Sequence, residues 1–382
     1  MFYLVSIFFK VLGFVLHAVP MGIWFAGLPL AIVCLATNGT NTGRFGRRIF
    51  AQLPIMLAIG INFGIVPLLF TQTIFYKEFY TATILMAWHW FAVVPILIVG
   101  YYAVYLASFS SAATTPQETK NAKKNSHKTQ KGIKRTMFFG IVASVCLIAI
   151  GALIVNGQTL MVRSDLWQSI MERTGFYGAT TGLANNMSDP SVWVRLATVF
   201  ALGLATTAIW SIVDSHFLLR KNGDKNIDEK YRHWTILFSF ILFLISGFLL
   251  ALLSCLTAMY GISGFVSSRI SELSMDILPV FVASVVAFVI VGFVLAAMVL
   301  FNGLRVRLLV ILAALSHVIV LSGFGIMRQI GQNNRLAQAV ETAQSTALAW
   351  EAFIPFLVFF VLGAVVVGWM LRQLIVSKLE TV

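Results

Sequence analysis

Three histidines lie deep inside apolar stretches of this chain, and an imidazole in such a place is a natural ligand for iron. His17, His89 and His317 each sit within a run long enough to cross a bilayer. At a rise of ~1.5 Å per residue, His17 is ~20 Å from the outer edge of its run, with His89 ~14 Å and His317 ~15 Å into theirs. Comparable depth suits axial ligation of haem iron between helices. A neutral imidazole ligates without the cost of a buried charge. The plainer reading of each is a neutral histidine bonded to a carbonyl or hydroxyl of the next helix. His127 falls in a basic loop, and His216 and His233 fall at the ends of apolar runs.

Arg328 and Gln329 follow the His317 run and suit haem propionates or a quinone headgroup. A snorkelling arginine at a helix end explains the first of them equally well. Trp88-His89-Trp90 reads as an interfacial anchor or as a stacking wall for a flat ring. The 32 phenylalanines could line a porphyrin or a quinone tail, or could face lipid. No acidic residue lies near the middle of a run; Asp214, Asp276 and Glu351 are close to run ends. That weighs against an ion-coupled transporter, which holds its ion on a mid-membrane carboxylate. Cys34, Cys146 and Cys255 have no CxxC or CxxCH spacing and read as small buried hydrophobes. The chain contains no P-loop, no HExxH and no paired catalytic carboxylates.

The elements that must position these residues are transmembrane helices. The composition is 59% hydrophobic and 11% charged, with a mean hydropathy of +0.89. A water-soluble domain keeps more charge on its surface. A helical crossing needs ~20 apolar residues, and backbone groups in lipid must be satisfied internally. The expected architecture is therefore an all-α polytopic bundle with spans at 3–36, 49–74, 80–108, 137–156, 191–218, 234–262, 277–301, 307–327 and 351–371. Residues 1–382 form a single unit, with a basic loop at 110–136 and an extracytoplasmic segment at 157–190. Within that segment Leu166, Trp167, Ile170 and Met171 have the spacing of a short interfacial helix. The net charge of +13 reflects membrane topology, not nucleic-acid binding, because Lys and Arg collect in alternate loops. Arg44, Arg47 and Arg48, then 120–135, 220–232 and Arg305 with Arg307 form the basic set. The positive-inside rule then places the amino terminus outside and the carboxyl terminus in the cytoplasm.

With this layout the chain resembles subunit I of the cytochrome bd quinol oxidases. That family also has about nine spans, and its first carries a haem-ligating histidine followed shortly by proline. His17-Ala18-Val19-Pro20-Met21-Gly22 stands in that place. Gly60-Ile61-Asn62-Phe63-Gly64 matches a Gly-Ile-Asn-Phe-Ala type sequence on the second span, and Leu85-Met86-Ala87 and Arg328-Gln329 are similar to further family segments. The likeness is moderate over the first hundred residues and topological beyond them.

There are departures. Thr83 and Phe91 fall where the family has two glutamates, and Ala197 falls near its fifth-span histidine. The family's Arg-x-Met ligand motif has no counterpart on the seventh span, and the long quinol loop is reduced to about 264–276. The resemblance thus implies a quinol-linked oxidoreductase subunit that does not itself reduce dioxygen. The expectation is an integral protein of the bacterial inner membrane, a subunit of a respiratory electron-transfer complex. It would bind b-type haem through His17 with His89 or His317, exchange electrons with quinone, and meet an extracytoplasmic partner such as a c-type cytochrome. The alternatives are a cofactor-poor scaffold for other subunits and, third, a transporter.

Overall fold

The computed structural model describes residues 2–37, 39–112, 122–219, 225–260, 277–301, 306–347 and 350–377. The shortened loop expected at 264–276, most of the centre of the 110–136 loop, and Lys378 lie outside the described residues. Helix α1 (Phe2–Gly22) passes through a π-helical turn (Ile23–Gly27) into α2 (Leu28–Ala36). Then come α3 (Thr40–Ile74), α4 (Tyr76–Leu85), α5 (Ala87–Ala112) and α6 (Ala122–Val162). They are followed by α7 (Trp167–Thr174), α8 (Pro190–Val213) with a terminal π-helical turn (Asp214–Leu218), and α9 (Lys225–Tyr260). The chain ends in α10 (Ile277–Leu300), α11 (Val306–Arg335), α12 (Ala337–Ser345) and α13 (Trp350–Ser377).

Among the described residues nine helices are long and apolar enough to cross a membrane, as the sequence predicts. Several extend past the apolar run. α3 starts nine residues before the expected 49, because its first turns carry arginines that are buried in ion pairs. α11 runs on to Arg335, eight residues past the expected 327. Residues 122–136, expected as loop, are helical and prolong α6 beneath its apolar part. Hydropathy marks only the hydrocarbon-spanning part of a helix, and backbone hydrogen bonding carries the helix further.

α1 and α8 cross at small residues. A Cβ on Gly22 would lie 2.7 Å from the Thr206 Cβ, and one on Gly203 would lie 2.9 Å from the Ala26 Cβ. Such close approach is how helices gain contact in lipid, where no hydrophobic effect drives them together. The π-helical turn sits in this crossing and is wholly buried. Thr207 donates its hydroxyl to the Gly22 carbonyl at 3.3 Å, supplying a partner where the regular ladder is interrupted. Pro29 follows in the first turn of α2, where a missing N–H costs least.

On the opposite side of the bundle from the Phe2 end, α3 is tied to α8 and α9 by buried ion pairs. Arg48 grips Asp214 through Nε at 2.5 Å and Nη2 at 2.7 Å. Gln52 donates to the same carboxylate at 2.7 Å and accepts from the Trp210 indole at 2.6 Å. Arg44 meets Asp228 at 2.8 Å over the Tyr231 ring. Arg44 and Arg48 are thus internal fasteners rather than free loop charges. Removing one partner of such a buried pair costs about 3–5 kcal/mol. Of the cysteines, Cys34 is buried as expected, whereas Cys255 is exposed on the outside of the bundle.

The segment after α6 packs down onto the bundle. Ile170 on α7 is buried beside Leu160 and Met161, and the Trp167 indole donates to the Leu160 carbonyl at 2.8 Å. Further along, the Trp88 N–H donates to Gly182 O, and the Ala184 N–H to Leu85 O, both at 3.0 Å. The short amphipathic helix predicted near 164–174 is present, and protein covers its apolar side.

Candidate functional site

One stripe of α1 carries the polar residues of the interior. Tyr3, Lys10, Phe14 and His17 are spaced seven, four and three residues apart, which places them on one face of a helix. The facing stripe of α11 holds Gly325, Arg328, Gln329, Gln332 and Asn333. Lys10 is 3% exposed, and its ammonium donates to Gln332 Oε1 at 2.6 Å, with the Phe75 ring 4.6 Å away. Arg328 bonds to Gln158 of α6 and lies 5.1 Å over the Phe14 ring. Gln329 donates to Asn333, which donates to the Tyr3 hydroxyl, each at 2.7 Å. Gly325 permits this seam, because a Cβ there would meet the Phe14 ring at 2.9 Å.

His17 turns from α1 toward α3. Its Nδ1–H donates to the Gly60 carbonyl at 2.7 Å, and the Trp24 ring stands edge-on at 5.6 Å. Gly64 makes room for it: a Cβ there would lie 2.8 Å from His17 Cε1 and Nδ1. Both glycines belong to the Gly-Ile-Asn-Phe-Gly segment, so this segment and the His-x-x-Pro segment form one contact. The Gly60 bond fixes the tautomer and leaves the Nε2 lone pair able to accept a proton donor or a metal, the arrangement that a second-shell carbonyl gives to ligating histidines.

His317 turns to a different helix. Thr206 of α8 donates its hydroxyl to Leu202 O at 2.9 Å and accepts from His317 Nε2–H at 2.9 Å. His317 Nδ1 is enclosed without a hydrogen-bond partner. His89 is half-buried on α5, and its Nδ1 is likewise enclosed without a partner. Trp88 beside it is 63% exposed, as an anchor would be, whereas Trp90 packs edge-on to Phe79 at 5.7 Å. The structure therefore joins His17, Arg328 and Gln329 to the α1–α11 seam, sets His317 on the α8 side of α11, and leaves His89 on α5.

The sequence expectations omit Lys10, Gln158, Gln332 and Asn333. A lysine eight residues inside an apolar run is itself the signal, since an intramembrane charge is costly and asks for a function. Both cations of the seam are received by neutral amides, Gln332 and Gln158, and the charge of Arg328 acts on both Lys10 and His17. A buried lysine and a half-buried arginine with neutral partners, next to an imidazole with a free lone pair, make a donor set that fits a ligand carrying iron and carboxylates. Haem b would be such a ligand: His17 Nε2 would be the nitrogen for its iron, and Lys10 and Arg328 would be the partners of its propionates.

A chain of the bd oxidase from Geobacillus thermodenitrificans matches this structure with a TM-score of 0.60 at 14% identity, covering 99% of this chain and 98% of that one. The chain has a bd-oxidase-like fold. No family model matches the sequence, and no curated protein matches it. The bd-like fold thus spans the whole bundle, α9 to α13 included, where the sequence resemblance was topological only.

Proposed function

We propose that this chain is the membrane subunit of a respiratory electron-transfer complex, in which it holds b-type haem and passes electrons between the quinone pool and an extracytoplasmic redox partner. The observation that carries this reading is the tautomer of His17, set by the Gly60 carbonyl so that Nε2 is free for metal. The cations Lys10 and Arg328 support it, because Lys10 is buried and Arg328 half-buried, each held by a neutral amide and a phenylalanine ring with no carboxylate beside it among the described residues. When bound, haem supplies a one-electron redox centre. The chain's own residues do the rest. Gly60 and Gly64 orient His17, Trp24 and Phe14 wall the seam, and Gln329, Asn333 and Tyr3 keep its polar rim in register. A quinone headgroup would use the same class of donors. The extracytoplasmic partner, for which a c-type cytochrome is the natural chemistry, would meet the face carrying segment 157–190.

A second reading is a scaffold that retains the fold without the cofactor. The commitment of His317 Nε2 to Thr206 favours it, since that nitrogen is already used in the structure. One experiment separates the two. The complex purified with this chain should show a reduced-minus-oxidised b-type spectrum and a positive pyridine haemochrome, and His17→Ala should abolish the signal while assembly persists. A haemochrome-negative complex leaves the scaffold.

A further inference from the structure

At the opposite membrane face from the Lys10 seam, the π-helical end of α8 and the first turns of α9 and α11 enclose a cleft of about 670 Å³. It is lined by His216, Glu229, Arg232, His233, Ile236, Val306 and Arg307. The nitrogen-rich side chains of His216, Arg232, His233 and Arg307 converge on this one cleft. Arg232 Nε donates to the Ser215 carbonyl at 3.1 Å, which sets the plane of the guanidinium and leaves its two Nη groups without a hydrogen-bond partner among the described residues. His216 Nδ1–H donates to Ile212 O at 2.9 Å, which fixes that ring as well. Glu229 forms no ion pair with either arginine among the described residues, so it does not cancel them by contact. With two arginines against one glutamate, the cleft carries a net positive charge even with both histidines neutral.

We infer that this cleft binds the phosphodiester of an anionic phospholipid. The inference stands independently of the haem reading. A phosphate matches the planar fork of arginine, and the volume lies within the range of small-molecule sites. Depth selects a lipid over a free anion. Arg232 and His233 immediately precede the apolar run of α9 at 234–262, so the cations stand at the edge of the hydrocarbon, at headgroup level. Ile236 follows one turn deeper on the same face, and Val306 flanks it, giving the glycerol and first acyl carbons an apolar wall. Basic pockets between transmembrane helices at one leaflet are the general form of such headgroup sites.

The test uses the full chain, in its complex, delipidated in detergent and titrated in native mass spectrometry with phosphatidylglycerol, phosphatidylcholine or inorganic phosphate. Phosphatidylglycerol should bind in preference to phosphatidylcholine. Arg307→Gln should weaken it about tenfold, the scale of one lost charge-assisted bond. Arg307 and His233 are both exposed, so Arg307→Gln and His233→Gln leave the packing of the bundle intact. Arg372→Gln, on α13, should leave binding unchanged. Equal binding of phosphatidylcholine, or phosphatidylglycerol binding that survives Arg307→Gln together with His233→Gln, overturns the inference. Displacement of bound phosphatidylglycerol by inorganic phosphate at equal concentration would assign the cleft to a free anion instead, and overturns it as well.

Discussion

Lys10 carries its charge at a depth where lipid offers no counter-ion, and the amide of Gln332 is the group that receives it. Such a residue carries a steady desolvation cost, and removing it alone leaves the buried Gln332 amide oxygen without its donor, a loss of about 1–3 kcal/mol. Lys10→Met, which relieves the first and incurs the second, should therefore move the thermal midpoint of the complex by only about a few degrees. If haem sits at the seam, losing the positive charge should lower its midpoint potential, on the order of tens of millivolts. A redox titration of the variant reads this directly; an unchanged potential would mean that Lys10 does not face the redox centre. The histidines show how far residue type alone can go. His17 and His317 are alike in sequence context, yet one ends on a carbonyl with its Nε2 left free, and the other ends on a hydroxyl with its Nε2 in use.

At the scale of elements, the outer segment is fastened by Arg163. Its guanidinium pairs with Asp165 at 2.9 Å and with Asp189 at 3.3 Å, clamping the end of α6 to the start of α8. The Arg163 hydrogen bond holds the Asp165 carboxyl below the usual carboxylate range. Burial pushes Asp189 upward, but the Ser191 N–H, the Asn186 amide and Arg163 outweigh it, so its carboxyl is also held low. Both groups then bind protons less readily folded than unfolded. Their contribution is present above the unfolded carboxylate pKa of about 4 and is lost as pH falls through the lower folded values. Amide hydrogen exchange over 163–190 should quicken as pH is lowered through that window, relative to the intrinsic rate. Arg163→Gln should shift the loosening to higher pH. The short helix α7 in this segment was readable because four apolar residues kept a helical period, whereas its docking on Leu160 was not, because apolar spacing does not say whether lipid or protein covers it.

For the whole molecule, nine crossings put the two ends of the described chain on opposite faces. By the positive-inside rule, the more basic end would face the cytoplasm. Arg44 and Arg48 are internally paired, but Arg47, Lys131, Lys134, Arg135 and Arg307 still share the end opposite Phe2. An impermeant thiol reagent should therefore label a cysteine placed at the amino terminus from the extracytoplasmic side, and one placed at the carboxyl terminus only after permeabilisation. The reverse pattern would invert every assignment of face made above.

The all-α membrane architecture and the number of spans were written in the chain, whereas the contact of His17 with Gly60 and Gly64 was not. Hydropathy over ~20 residues is a local quantity, and a short motif keeps its local form wherever it packs. Which helices would face each other was decided only in three dimensions. The seam of Lys10 with Gln332 joins residues 322 positions apart, and the Arg48–Asp214 clasp joins residues 166 apart. Apolar spans look alike to a linear reading, because lipid and protein interior offer nearly the same solvent. Only the packed bundle, where each buried polar group must find a specific partner, tells the two apart.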